Sequence, residues 1–231
     1  MLSLRTVLVV CAFCAICRTA IADVIYNVTL DTTSLVGHPA GPFYVFAEFT
    51  DGNGIGDANN TATLSNFTFG GGSALGSPLL FGGASGSLET GVTIIDSSAL
   101  GFFAEQFAPG LQLSFSLDLT LNNDSGGTPD RFTFFLLDSS QVPLPTLAPS
   151  GDYFFGADIY STGPVLDAWG SDPSRAPSVG NPVSIGAPTT TLVSGVPEPA
   201  TIYSVGGALA MLSVLRPSLR ARRGMLGKAR K

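Results

Sequence analysis

Between Asp23 and Val196 the chain has no lysine, no cysteine and only two arginines, Arg131 and Arg175. Sixteen aspartates and glutamates share that span, so the body carries a net charge of −14. A field of that sign repels nucleic acid and anionic lipid surfaces, and favours divalent cations or plain solubility. Nucleic-acid binding is set aside on this ground. His38 is the one histidine of the chain, and a zinc site needs several His or Cys ligands. The three cysteines, Cys11, Cys14 and Cys17, all precede Asp23. Their C-x-x-C-x-x-C spacing has the form of a cluster motif. Small apolar fillers of a discarded leader explain it better, and the remaining body then gains nothing from disulfides. Also missing from the body is any ten-residue stretch with a helical apolar stripe.

The ends differ from the body. Met1 to Arg5 is a short basic start, and Thr6 to Cys17 is an apolar run of twelve residues, too short to span a bilayer. Ala20 and Ala22 follow with the small-x-small spacing that signal peptidase needs. Residues 1–22 therefore read as a signal peptide forming a short helix, cleaved before Asp23. Near the other end, Ala200 to Leu215 carries no charge, and Arg216, Arg220, Arg222 and Arg223 follow it. Residues 200–215 read as a short transmembrane helix. The arginines hold its end in the cytoplasm and leave the body outside. An ordinary C-terminal membrane anchor would satisfy these features.

Pro197, Glu198 and Pro199 stand just before that helix. The triplet, the apolar helix and the arginine-rich end, in this order over residues 196–224, resemble the PEP-CTERM sorting signal of Gram-negative bacteria. The resemblance implies that an exosortase in the inner membrane recognises the tail. The protein would be processed near the motif and passed to the cell surface or extracellular matrix, with exopolysaccharide as a partner. Residues 225–231 form a basic extension to which no role is assigned. The body resembles, in "DVIYNVTLDTTSLVGHPAGPFYVFAEFTDGNGIGDANNTATLSNFTFGGG" and "DRFTFFLLD", a recurrent ectodomain type of exported PEP-CTERM proteins.

Alternation with period two dominates the body. In Leu111 to Leu121 every odd position is apolar and every even one polar, the pattern of a strand with one buried face. Val24, Tyr26, Val28 and Leu30 alternate in the same way. Further strands are expected at Phe43–Thr50, Thr61–Phe69, Ser87–Ile95, Leu100–Phe107, Arg131–Leu137, Tyr153–Tyr160 and Thr189–Val193. Turn-rich stretches such as Asp51-Gly-Asn-Gly and Gly70-Gly-Gly separate them. Eight or nine half-buried strands predict an all-β fold, an antiparallel β-sandwich of jelly-roll type over residues 23–180. Phe132, Phe134 and Leu136 would face one way, Phe135 and Leu137 the other, which places that strand in mid-sheet or under a loop. Residues 161–188 read as irregular, and residues 181–195 as a linker to the tail.

Candidate chemistry is sparse. His38 lies in a turn-rich loop, and no G-x-S-x-G elbow accompanies it. A glycosidase needs two acids across a cleft; Glu48, Glu89, Glu105 and Asp118 fall on strands, where outward solvated carboxylates are the simpler reading. Asp51, Asn53, Asp57 and Asn59 place oxygen ligands along a glycine-bent loop suited to calcium. Asp and Asn also close plain turns. Asn122 to Asp130 is a second acidic loop. Trp169, the sole tryptophan, could stack on a sugar or simply cap one end of the sandwich. The leading expectation is a non-enzymatic exported surface or matrix protein with a structural or adhesive role. A carbohydrate-binding module and a secreted polysaccharide or ester hydrolase are the alternatives.

Overall fold

The computed structural model describes residues 23–122 and 127–195. The expected signal peptide, sorting motif, transmembrane stretch and arginine cluster lie outside the described residues. Among the described residues there are twelve strands. The first six are β1 (Val24–Asp31), β2 (Phe43–Thr50), β3 (Thr61–Thr68), β4 (Ser73–Phe81), β5 (Gly83–Ser87) and β6 (Gly91–Ile95). The others are β7 (Leu100–Ala108), β8 (Gln112–Leu119), β9 (Asp130–Leu137), β10 (Phe155–Ile159), β11 (Val165–Ala168) and β12 (Thr189–Gly195). Sheet one has the order β12-β1-β8-β3-β6-β5 and sheet two β11-β10-β9-β2-β7-β4, six strands each. All pairings named between these strands are antiparallel.

The alternation decides which face of each strand is dry. Leu113, Phe115, Leu117 and Leu119 of β8 are buried, while Ser114, Ser116 and Asp118 point away from the core. Phe43, Val45, Ala47 and Phe49 do the same for β2, with Tyr44, Phe46 and Glu48 on its outer face. The two inner faces meet between the sheets, where Phe115 and Phe134 lie 4.9 Å apart. Strand β9 sits between β10 and β2. Its inward Phe132, Phe134 and Leu136 are buried, and its outward Phe135 is half-buried.

Three segments differ from expectation. Strands β4 and β5 occupy residues where no strand is expected, because Gly76 and Pro78 break the alternation. The register of β4 on β7 shifts between Leu75 and Leu79. The stretch read as one strand from Ser87 to Ile95 is the end of β5, a turn and β6. Residues 181–195 are not a linker. Val183 and Ile185 are buried, each 3% exposed, and Thr189–Gly195 pairs with β1. Within the segment read as irregular, β11 adds a strand to the edge of sheet two.

Strand direction sorts the loops to two ends. One end gathers the start of β1, the end of β2, the start of β3, the end of β6 and the start of β9. Val24 pairs there with both Leu119 and Gly195, Thr61 with Ile95, and Thr50 with Arg131.

Candidate functional site

Two features stand at or near that end: an acidic cluster and a cleft. The loop after β2 bends through Gly54 (φ +75) and Gly56 (φ +72). That path wraps it around Asp51. One Asp51 carboxylate oxygen accepts the Asn53 and Gly54 N–H groups, each at 2.8 Å, and the other accepts Gly56 N–H at 2.7 Å. Asp96, just beyond β6, accepts the Asn60 N–H with both oxygens at 3.1 Å. Asp130, the first residue of β9, accepts Gly52 N–H at 2.7 Å and Asn60 Nδ2–H at 2.5 Å.

Asp51, Asp57 and Asp96 each offer a carboxylate oxygen, and the three atoms lie within 4.8 Å of one another. Asp51 and Asp96 are buried and Asp57 is exposed. Crowded charge in so dry a place is costly. Burial pushes the Asp96 carboxyl up to about 7, against the Asn60 hydrogen bonds and with help from neighbouring Asp130 and Asp57. A proton on Asp96 or a hard cation would discharge the cluster. Asp51, Asp57 and Asp96 are the residues that could hold calcium, which takes oxygen ligands. Of the four residues expected to share that role, Asn53 turns its Oδ1 to Ile55 N–H at 3.0 Å, and Asn59 donates to Asp57 at 3.0 Å. Asp96 could not be found by scanning the loop, because the fold brings it from the far end of β6.

The cleft opens on the outer face of sheet two and encloses about 670 Å³. Glu48, Arg131, Phe135, Tyr153, Asp158 and Asp167 are among its lining residues. Arg131 Nη1 donates to Asp158 at 2.7 Å, and Nη2 donates to both Asp167 oxygens at 3.2 and 3.1 Å. The guanidinium also lies 5.1 Å above the Tyr153 ring, a cation–π arrangement. Tyr153 Oη donates to Asp167 at 2.6 Å. Gly156 makes this knot possible, because a Cβ there would overlap Arg131 Nη2 and Asp167 Oδ1. Glu48, one strand away, is part-buried, and its carboxylate has no hydrogen bond among the described residues; burial raises its carboxyl above the ordinary range, with Arg131 opposing.

Other candidates serve the fold. His38 Nδ1 accepts Ala40 N–H at 3.2 Å and Nε2 faces the Asn181 carbonyl at 3.0 Å. Both ring nitrogens are thus used on backbone. Glu105 faces inward and accepts Leu88 N–H at 2.8 Å, and burial raises its carboxyl. Asp118 lies on sheet one, away from the cleft, and burial raises it, with Asp23 adding to the shift. Glu89 sits in the turn between β5 and β6. Trp169 is half-buried behind the cleft rather than among its lining. Its Nε1 is buried and reaches no hydrogen-bond partner among the described residues. Of the second acidic loop, residues 123–126 lie outside the described residues, and its last member, Asp130, joins the first cluster.

Compared with protein-family models, curated proteins and solved structures, the chain matches none.

Proposed function

We propose that this chain is an exported surface or matrix protein. Its folded body is a non-catalytic β-sandwich of jelly-roll type, delivered by the leader at 1–22 and the PEP-CTERM-like tail at 196–224. One observation carries the reading. The fold uses the chain from Val24 to Gly195 and pairs those two residues with each other, so the expected processing points, after Ala22 and at Pro197, fall just outside both ends of the sandwich. Proteases at either point would meet chain beyond the strands. The nested pairings β1–β8, β2–β7 and β3–β6 support the jelly-roll assignment, with β5 carried onto the β6 edge. Against a histidine-based hydrolase stands His38, whose ring is committed to loop backbone.

The test is intact-mass analysis of the mature protein made in a Gram-negative host that carries an exosortase. The expected product starts at Asp23 and lacks the segment from 200 onward. Glu198→Ala is expected to leave the tail attached and the protein in the membrane fraction. A mature chain that keeps Lys231 in the presence of the exosortase would reduce the tail to a plain anchor.

Calcium enters as a second reading, favoured by the close grouping of buried Asp51 and Asp96 with exposed Asp57. In that reading the ion stiffens the acidic end from which the tail departs.

A further inference from the structure

We infer that the outer face of sheet two binds an uncharged polysaccharide, with Glu48 as the hydrogen-bond acceptor at the polar end of an aromatic track. The inference concerns the folded body alone and stands or falls independently of how the chain is delivered.

The two outer faces of the sandwich differ in kind. Sheet one presents Asn27, Thr29, Ser65, Ser114 and Ser116, some bonded side chain to side chain, as in Ser116 to Asn27 at 2.9 Å. A solvated face needs nothing more. Sheet two instead carries a row of rings across four strands. Phe81 of β4 and Phe102 of β7 are 5.0 Å apart, and Phe102 and Phe46 of β2 are 5.5 Å apart. The row continues from Phe46 to Phe135 of β9 at 5.5 Å and on to Tyr153 at 6.2 Å. Phe81 is 54% exposed and its β4 neighbour Leu79 is 56% exposed. On β7, β2 and β9 the opposite side chains already fill the core, whereas β4 buries no side chain at all. Phe81 is exposed, Phe102, Phe46 and Phe135 are part-buried and Tyr153 is buried. The row thus runs from open water into the cleft, and an aromatic row of this kind on one face marks a contact surface.

Several features select the occupant. The row ends in the cleft, where Glu48, Asp158 and Asp167 outnumber Arg131. Anionic chains are repelled there, and a donor-rich ligand is favoured. Asp158 and Asp167 are held in place by Arg131, so their remaining lone pairs are fixed in direction, while the Glu48 carboxylate has no hydrogen-bond donor among the described residues. Sugar hydroxyls supply such donors, and the apolar side of a pyranose ring supplies the match to the aromatic row. An extended peptide suits the surface poorly. Its backbone N–H and C=O groups need partners, and the face of a sheet has already spent its own backbone within the ladders. Edge pairing with a second copy is also opposed, because β4 is blunted by Pro78 and by its register shift. With strands about 4.8 Å apart, the row is long enough for several sugar units.

The experiment is calorimetric titration of the full chain in a zwitterionic detergent. Cellohexaose, laminarihexaose, mannohexaose and N-acetylated chitohexaose are the neutral probes, with polygalacturonate and hexalysine as charged ones. Saturable binding of at least one neutral hexaose is expected, and none of polygalacturonate. Glu48→Gln and Phe46→Ala are each expected to weaken that binding at least tenfold, while Glu89→Gln leaves it unchanged. Glu48→Gln should not lower the unfolding midpoint, because the cost of burying the carboxylate outweighs its attraction to Arg131, so a weakened titration cannot be laid to misfolding. The inference is overturned if no neutral hexaose binds at millimolar concentration, if Glu48→Gln binds like the parent, or if hexalysine alone binds.

Discussion

At pH 8 and without divalent cations, an Asp96→Asn variant is expected to be more stable than the parent by roughly 2–4 kcal/mol. The reason lies in the direction of the shift. Asp96 is raised from 3.8 to about 7 in the folded protein. The native state therefore holds a proton that the unfolded chain has given up, throughout the interval between those values. Stability is fully present below 3.8, falls as pH rises toward about 7, and is flat above. Asparagine copies the protonated carboxyl. It still accepts from Asn60 N–H and can donate toward Asp130, and it carries no charge that depends on pH. Urea unfolding of parent and variant from pH 5 to 8 checks this. The parent should lose stability across the range and the variant should lose much less. A parent curve that is flat or rises would show that another group dominates. Calcium adds a second arm. If Asp51, Asp57 and Asp96 hold the ion, millimolar calcium raises the parent's midpoint at pH 8 by several degrees, since a ligand that binds only the native state stabilises it. Asp57→Asn, a change at an exposed position, should remove that shift. No shift at all would end the calcium reading.

Asp138→Ala is expected to cost about 3 kcal/mol. Asp138 follows β9 at the opposite end of the sandwich and is fully buried. Its Oδ1 accepts Ser140 N–H at 2.9 Å and Val142 N–H at 3.1 Å. Its Oδ2 accepts Ser178 N–H at 3.0 Å and the Ser178 hydroxyl as well. Burial alone would raise this carboxyl, but the bonds from Ser178, Val142 and Ser140 outweigh it and hold it below its ordinary value. Removing it strands several donors and frees the 178–181 segment that His38 holds from the other side. Urea unfolding at pH 7 measures the loss, and a cost under about 1 kcal/mol would mean that water replaces the carboxylate without penalty. The sign with pH is opposite to that of Asp96. Asp138 contributes above the unfolded value of 3.8 and its contribution fades as pH falls through the lower folded value.

The fold was legible where side chains alternate. Leu113 to Leu119 and Phe43 to Phe49 announce their buried faces, and Phe135 announces a strand wanted on both sides. Strand β5 could not be read, because Gly83–Ser87 has little to bury and is held through its backbone ladder to β6. The strand expected at Thr189–Val193 is β12, but the preceding residues were misjudged as linker because prolines hide two buried anchors, Val183 and Ile185. The candidate sites show the same division. Asp51 and Asp57 share one loop and were visible as a pair. Asp96 and Asp130 are brought to them by sheet register, across distances in sequence that no spacing rule covers. The cleft was legible only as the isolated strand carboxylate Glu48. Its other members, Arg131, Asp158 and Asp167, come together through the β9–β10–β11 ladder, and the cleft is lined by Tyr153 and not by Trp169.

The pairing of Val24 with Gly195 also bears on time. The first strand of the sandwich receives its last partner from the final residues of the folded span, and pairings so distant in sequence form slowly. A chain threaded across a membrane with its N-terminus leading would bring β1 through long before β12 arrives. The edge of sheet one would stay open until translocation is nearly over. Under the proposed export, such a fold would gain its last strand only at the end of transit.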